Sequence, residues 1–257
     1  MLKNPIFETQ KAIFKGKTAM FLVMRNICIF LSIFNIVNYS TPEAVCQEQD
    51  AKLRNDMVKY QIEARGIKDK KVLDALRKVP RHKFVPKQYA SEAYNDHPVP
   101  IGYGQTISQP YIVALMTKLV DLKKGERALE IGTGSGYQAA VLAEITDSVY
   151  TIEIITELAQ SSNETLNQLG YKNIKVKNAD GYFGWKDYAP FDVIVVTAAA
   201  EHIPPPLIEQ LNEGGKMIIP VGHAFQVQNL MLIEKKDGKI KSRSIIPVRF
   251  VPFKRGK

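Results

Sequence analysis

Apolar positions change their spacing as the chain proceeds. Between residues 48 and 80, Met57, Tyr60, Ile62, Ile67, Val72, Leu73, Ala75 and Leu76 recur at spacings mostly compatible with a helical face, interrupted at Gly66 and closed at Pro80. Residues 80–110 carry five prolines, Pro80, Pro86, Pro98, Pro100 and Pro110, with Gly102 and Gly104 among them. Up to about residue 107 they are expected as loop and short strand. Ser108 or Gln109 then reads as a helix cap, with Pro110 in the first turn and the helix over 111–120.

From residue 127 strands alternate with helices. Residues 127–131 are a mainly apolar run ending in glycines, the pattern of a buried parallel strand. Helix is expected over 137–145, strand over 148–154, helix over 157–169 and a short strand over 174–177. Residues 191–197 form an apolar strand broken only by Asp192, and 204–211 a helix. Strands follow at 216–220, 229–234 and 240–247, with Asp237-Gly238 marking a hairpin between the last two. This order argues an α/β sheet with flanking helices and a C-terminal hairpin. Right-handed crossovers then place the ligand loops at the carboxyl ends of the strands.

Residues 20–37 are strongly apolar but divided by Arg25-Asn26. The piece after the division, residues 27–37, is shorter than the roughly 20 residues that span a bilayer. Its length matches the apolar core of a signal peptide, with Arg25 as the basic flank and Ala44-Val45-Cys46 as a weak cleavage site. The other reading is an apolar extension without export, with Met24 as an alternative start. Residues 1–46 are set aside as a leader, and 47–257 as the folded unit, with a helical N-terminal cap over about 48–107.

A chain that is 45% hydrophobic and 24% charged is globular rather than disordered. The formal net charge is +9, and residues 1–40 hold five basic residues against one acid. There is no basic helix stripe and no RNA or DNA motif, so the charge reads as a solvated surface and no nucleic-acid partner is expected. Any membrane contact is confined to the leader. Cys28 and Cys46 are the only cysteines, which gives neither a disulfide framework nor zinc spacing.

The first strand runs into Glu130-Ile131-Gly132-Thr133-Gly134-Ser135-Gly136. Such glycines let the backbone turn sharply and approach a ligand. A dinucleotide fingerprint would put its third glycine at position 137, which is Tyr137. The spacing found, with an acid two positions before the first glycine, resembles the first motif of S-adenosylmethionine methyltransferases. Glu153 ends the second strand, where a carboxylate can accept both ribose hydroxyls; otherwise it is surface charge. Asp180-Gly181 follows the third strand, where such proteins read the adenine, with a plain turn aspartate as the alternative. Thr197 ends the fourth and is expected at the methionine end of the donor.

Upstream, Asp96-His97-Pro98-Val99-Pro100-Ile101-Gly102-Tyr103-Gly104-Gln105-Thr106-Ile107-Ser108-Gln109-Pro110-Tyr111 is too peculiar for a generic linker. Together with Arg81-His82-Lys83-Phe84-Val85-Pro86, Asn178-Ala179-Asp180-Gly181, residues 197–204, Pro220-Val221-Gly222 and Arg249-Phe250-Val251-Pro252, it resembles the protein-L-isoaspartate O-methyltransferases. The resemblance covers roughly residues 52–253, and the stretch from Gly102 to Pro110 is its most specific part. It implies a Rossmann-like sheet and S-adenosyl-L-methionine as donor, bound by Glu130, Gly132, Thr133, Gly134, Gly136, Glu153, Asp180, Gly181 and Thr197. The implied acceptor is the free carboxylate of isoaspartyl residues in damaged proteins. Ser108 matches the residue assigned to the family's active site, with Thr106 in support. Such a donor is made in the cytosol, so the location expected is cytoplasmic, with export or anchoring through residues 20–46 as the alternative.

The chemistry agrees with the residues. A carboxylate with a pKa of about 3.5 is already ionised at neutral pH, so no general base is required. Alignment and exclusion of water then carry the rate. A neutral hydroxyl such as that of Ser108 can orient the acceptor without blunting it. His82, His97 and His202 match no metal spacing and read as structural or rim residues. Trp185 and Tyr182, near Asp180, read as packing, with stacking on the adenine as the alternative.

Overall fold

The computed structural model describes residues 42–256, with side chains from residue 48. The apolar leader, 20–37, lies outside the described residues, and Ala44-Val45-Cys46 falls in the first turns of helix α1 (Pro42–Asp56). That helix continues as a π-helical turn, Met57–Ile62, and a 3-10 turn, Glu63–Arg65, and stops at Gly66, whose φ of +90° suits glycine. Helix α2 (Lys70–Lys78) starts where the Asp69 carboxylate accepts from the Lys71 and Val72 amides, and it buries Val72, Leu73, Ala75 and Leu76. Two 3-10 turns, Arg81–Phe84 and Lys87–Glu92, lead to a hairpin of β1 (Val99–Gly102) and β2 (Gln105–Ile107). Helix α3 (Pro110–Val120) follows directly.

The remaining elements are β3 (Arg127–Ile131), α4 (Tyr137–Ala143), β4 (Ser148–Glu153), α5 (Thr156–Gln168), β5 (Ile174–Asn178), β6 (Phe191–Val196), α6 (Pro205–Glu209), β7 (Leu211–Val221), β8 (Gln228–Lys236) and β9 (Lys239–Val248). They form a Rossmann-like sheet of seven strands in the order β5-β4-β3-β6-β7-β8-β9. The pairs among β3 to β7 are parallel, and the last two pairs are antiparallel. Side-chain alternation divides the core. Ala128, Val193, Val195 and Ile218 face the layer of α2, α3 and α4, while Leu129, Ile131, Ile194, Val196 and Met217 face Trp185 and Leu207.

Chain order runs outward from β3 to β5 and then returns to lay β6 on the other side of β3. The crevice at such a reversal, beyond the carboxyl ends of the strands, is where open α/β sheets bind ligands. Here it lies between Gly132 and Thr197, and the Thr197 hydroxyl donates to the Gly132 carbonyl at 2.7 Å.

The helix expected over 204–211 is shorter, because Leu211 already pairs with Phe191 in the sheet. The register then shifts before Lys216 meets Val193, which hides the start of β7 from a period-2 reading. Gly214 has φ +79° there, and a Cβ on Gly215 would stand 2.8 Å from the Asn212 carbonyl oxygen. Helix α4 ends at Ala143 rather than 145, since the Ile145 and Thr146 amides both turn back to the Leu142 carbonyl.

Candidate active site

The loop after β3 is built on left-handed backbone. Gly132, Gly134 and Gly136 have φ of +95°, +52° and +89°. A Cβ on Gly132 would stand 2.5 Å from the Thr197 Oγ1. Gly134 faces Ile101 of the β1–β2 hairpin, where a Cβ would meet the Ile101 Cδ1 at 3.4 Å. The loop is tied to β4 through Glu153, which is almost fully buried. Its Oε2 accepts from the Gly134 amide at 2.8 Å and its Oε1 from the Ile155 amide at 2.9 Å. A carboxylate has about four lone-pair sites, so acceptor capacity remains on both oxygens.

Gly132, Gly134, Glu153, Gly181 and Thr197 line a narrow cleft of about 60 Å³, joined there by Gln105 and Thr106 from β2. Gly181 brings its backbone against β3, since a Cβ there would lie 2.4 Å from the Ile131 Cγ2. A wider pocket of about 420 Å³ adjoins it, lined by Pro98, Ser108, Gln109, Ile112, Arg249 and Phe250, among others. Thr106, Thr197 and Val251 line both cavities. Val251 is placed there by the chain's last segment, which crosses the carboxyl edge of the sheet. The Ala199 amide donates to the Val251 carbonyl and the Phe253 amide to the Ala199 carbonyl, each at 2.8 Å.

Glu130, Thr133 and Gly136 stand away from this lining. Glu130 is fully buried in mid-strand on the face of Ala128, with its Oε2 accepting from the Thr151 hydroxyl at 2.5 Å and its Oε1 without a partner. Burial pushes its carboxyl up to about 8, opposed by the Thr151 bond and the Ala139 backbone amide and reinforced by the nearby Glu153 charge. The Thr133 hydroxyl meets that of Thr151 at 2.6 Å, and Gly136 caps α4 against Leu166. These three brace the loop from behind.

Asp180 is engaged by the chain itself. Its Oδ1 accepts from the Tyr182 amide, while its Oδ2 accepts from the Arg255 guanidinium and the Gly256 amide, each at 3.0 Å. Burial works against its charge, yet these bonds and Arg255 outweigh it and hold the carboxyl below its ordinary range. The Arg255 guanidinium lies 3.6 Å from the Tyr182 ring centre. No local pattern signals this contact, whose partners are 75 residues apart.

Ser108 precedes the helix rather than capping it. Gln109 takes the cap position without a side-chain cap bond, because its amide donates instead to the Asp96 carbonyl at 3.0 Å. The Ser108 hydroxyl is half-buried at the pocket and bonds no other described residue, whereas its carbonyl accepts from Arg81 at 2.7 Å. Sequence reasoning assigned no role to Arg81, whose partner lies 27 residues away. The histidines stay outside both cavities. His82 pairs with the Tyr94 hydroxyl at 2.7 Å, His97 bonds the Pro98 carbonyl, and His202 stands beside the Tyr182 ring. Among the described residues no group of three His, Cys, Asp or Glu could hold a metal ion, and no helix is long and apolar enough to cross a membrane. Trp185 is core, packed edge-on to Tyr150.

A glycine-turn cleft at the switch point, opening onto a second pocket through shared residues, defines a Rossmann-like enzyme of the group-transfer kind. A model of the family described as protein-L-isoaspartate(D-aspartate) O-methyltransferase matches residues 51–257. The chain belongs to that family. It is 51% identical to a protein-L-isoaspartate O-methyltransferase of Opitutus terrae, covering 91% of this chain and all of that one. A protein-L-isoaspartate O-methyltransferase 2 of Polaromonas sp. is 58% identical, over 72% of this chain and 88% of the relative. Among solved structures, a putative protein-L-isoaspartate O-methyltransferase from Plasmodium falciparum in complex with S-adenosyl-L-homocysteine is 31% identical. It superposes with a TM-score of 0.70, covering 79% of this chain and 99% of that one.

Proposed function

We propose that this chain methylates the free α-carboxylate of L-isoaspartyl residues in damaged proteins, with S-adenosyl-L-methionine as donor. The observation that carries this reading is the junction at Thr106, Thr197 and Val251, where a narrow cleft and an open pocket share their walls. The donor supplies an electrophilic methyl on a sulfonium; the carboxylate oxygen takes it, and the thioether leaves with the sulfur's electron pair. The methyl ester then closes without enzyme. The following backbone nitrogen attacks the ester carbonyl, methanol leaves, and hydrolysis of the succinimide restores some normal aspartate.

The cleft suits such a donor. Glu153 keeps lone pairs for two ribose hydroxyls beyond its two amide bonds. Gly132, Gly134 and Gly181 bring backbone where a side chain would collide or strain the turn. Asp180 with Gly181 is assigned to the adenine and Thr197 to the methionine end. Glu130, Thr133 and Gly136 hold the loop's shape rather than touching the donor.

On the acceptor side, Ser108 orients the carboxylate with its unshared hydroxyl, and Thr106 supports it from β2. The acceptor is ionised at neutral pH, so no residue has to remove a proton and alignment supplies the rate. The catalytic unit spans residues 47–257 with its cap over 48–107, and the reaction belongs to the cytoplasm, where the donor is made. A paired-peptide assay tests the reading. With labelled donor, an isoaspartyl peptide should gain label that mild alkali releases, and its normal aspartyl twin should gain none. Equal labelling of both, or alkali-stable label, would end the proposal.

A further inference from the structure

Arg81 is fully buried and makes no direct ion pair among the described residues, although the Asp96 carboxylate attracts it from further off. Burial pulls its guanidinium below its ordinary pKa, against the opposing pull of Tyr137, Tyr94 and Asp96, so the fold holds the cation at a cost. A position needed only for packing would be filled more cheaply by an aliphatic side chain. What the guanidinium adds is a planar fork of donors. Its Nε donates to the Ala93 carbonyl at 2.6 Å and its Nη2 to the Ser108 carbonyl at 2.7 Å. Its flat face lies 4.7 Å from the ring centre of Tyr137, the residue that opens α4 just after the glycine turn.

One side chain therefore ties three segments together: the stretch before the hairpin, the acceptor residue and the helix behind the donor loop. The Ser108 backbone is held through its own carbonyl, fixed by Arg81, and the neighbouring Gln109 side-chain amide donates to the Asp96 carbonyl, three residues beyond Ala93. Ser108 lines the pocket, and its hydroxyl bonds no other described residue. Backbone pinned and hydroxyl free is the arrangement an orienting donor requires.

We propose that Arg81 is a positioning residue for methyl transfer, setting the Ser108 hydroxyl against the acceptor by clamping the Ser108 carbonyl to Ala93 and to the start of α4. The proposal rests on the assignment of Ser108 to the acceptor. It separates Arg81 from a residue that only stabilises, because its effect has to pass through Ser108.

A double-substitution cycle on the full chain reads this out. Arg81→Lys keeps the charge but loses the fork. It should lower kcat on an isoaspartyl peptide by on the order of ten- to a hundred-fold, as expected for a misplaced reacting group. Affinity for S-adenosyl-L-homocysteine, by calorimetry, should change less than about two-fold, in keeping with a loss confined to the transition state. In a Ser108→Ala background the same substitution should change kcat less than about two-fold, because the two losses are one and do not multiply. Equal losses in both backgrounds, or wild-type kcat in Arg81→Lys, would overturn the proposal. Failure of both Arg81→Lys and Arg81→Gln to fold would overturn it as well, since stability would then be the residue's work. An unsubstituted chain inactive on the isoaspartyl peptide would refute the proposed function itself, a result distinct from these.

Discussion

Glu130→Gln gives the sharpest test of how the donor loop is braced. The Glu130 carboxyl is fully buried and its pKa is raised from 4.5 to about 8. An acid with a raised folded pKa keeps its proton in the native state after the unfolded chain has lost it. Between pH 4.5 and about 8 the native state therefore binds one proton more, and stability falls as pH rises. The slope is about 1.4 kcal/mol per pH unit. By pH 7 the loss amounts to roughly 3 kcal/mol, and above pH 8 it stays constant at roughly 5 kcal/mol as an upper bound. Glutamine has nearly the same shape and no charge to shed, so it removes this dependence. It also brings an amide group to the partnerless Oε1 position, a fixed cost of about 1–3 kcal/mol at every pH. The slope is thus the diagnostic, not the offset. Urea unfolding of both proteins from pH 5 to 8 should show the substituted chain gaining on the original by about 1 kcal/mol per unit. Parallel curves would refute the reasoning, by showing a carboxyl that is ionised or wet in the native fold.

The cleft and the acceptor pocket answer to different substitutions. Gly132→Ala places a methyl 2.5 Å from the Thr197 Oγ1 at φ +95°. It should weaken S-adenosyl-L-homocysteine binding on the order of ten-fold or more, about 1.4 kcal/mol, by calorimetry; unchanged affinity would mean the loop does not hold the donor. Ser108→Ala should cut kcat by on the order of a hundred-fold while donor affinity stays near the original, and a loss of donor affinity would place Ser108 wrongly. Because Arg255 bonds the Asp180 carboxylate, Arg255→Ala should speed donor association in stopped-flow fluorescence of Trp185; an unaltered rate would show that the tail and the adenine do not compete.

Most of the sheet was legible because buried parallel strands announce themselves as apolar runs, as in residues 191–196. The glycine turn was legible because left-handed backbone leaves few other residues. Boundaries blurred where local pattern and tertiary pairing part ways. Leu211 reads as the end of a helix and serves as the first rung of β7, since its partner Phe191 is out of sight in a linear reading. Ser108 and Gln109 read equally well as the cap, and only the fold decides for Gln109 and puts Ser108 in the pocket wall. Glu130 sits in the motif position of a donor contact, but strand alternation turns it to the face of Ala128 and into the core. Arg81 with Ser108, and Arg255 with Asp180, join residues far apart in the chain, and nothing near either partner signals the other.

The last described residues of the chain serve both cavities at once. Residues 251–254 wall the narrow cleft and residues 247–251 the wider pocket, and bonds to Ala199 and Asp180 tie the segment down. Whatever occupies one cavity therefore shares a wall with whatever occupies the other, and a change at Val251 reaches both.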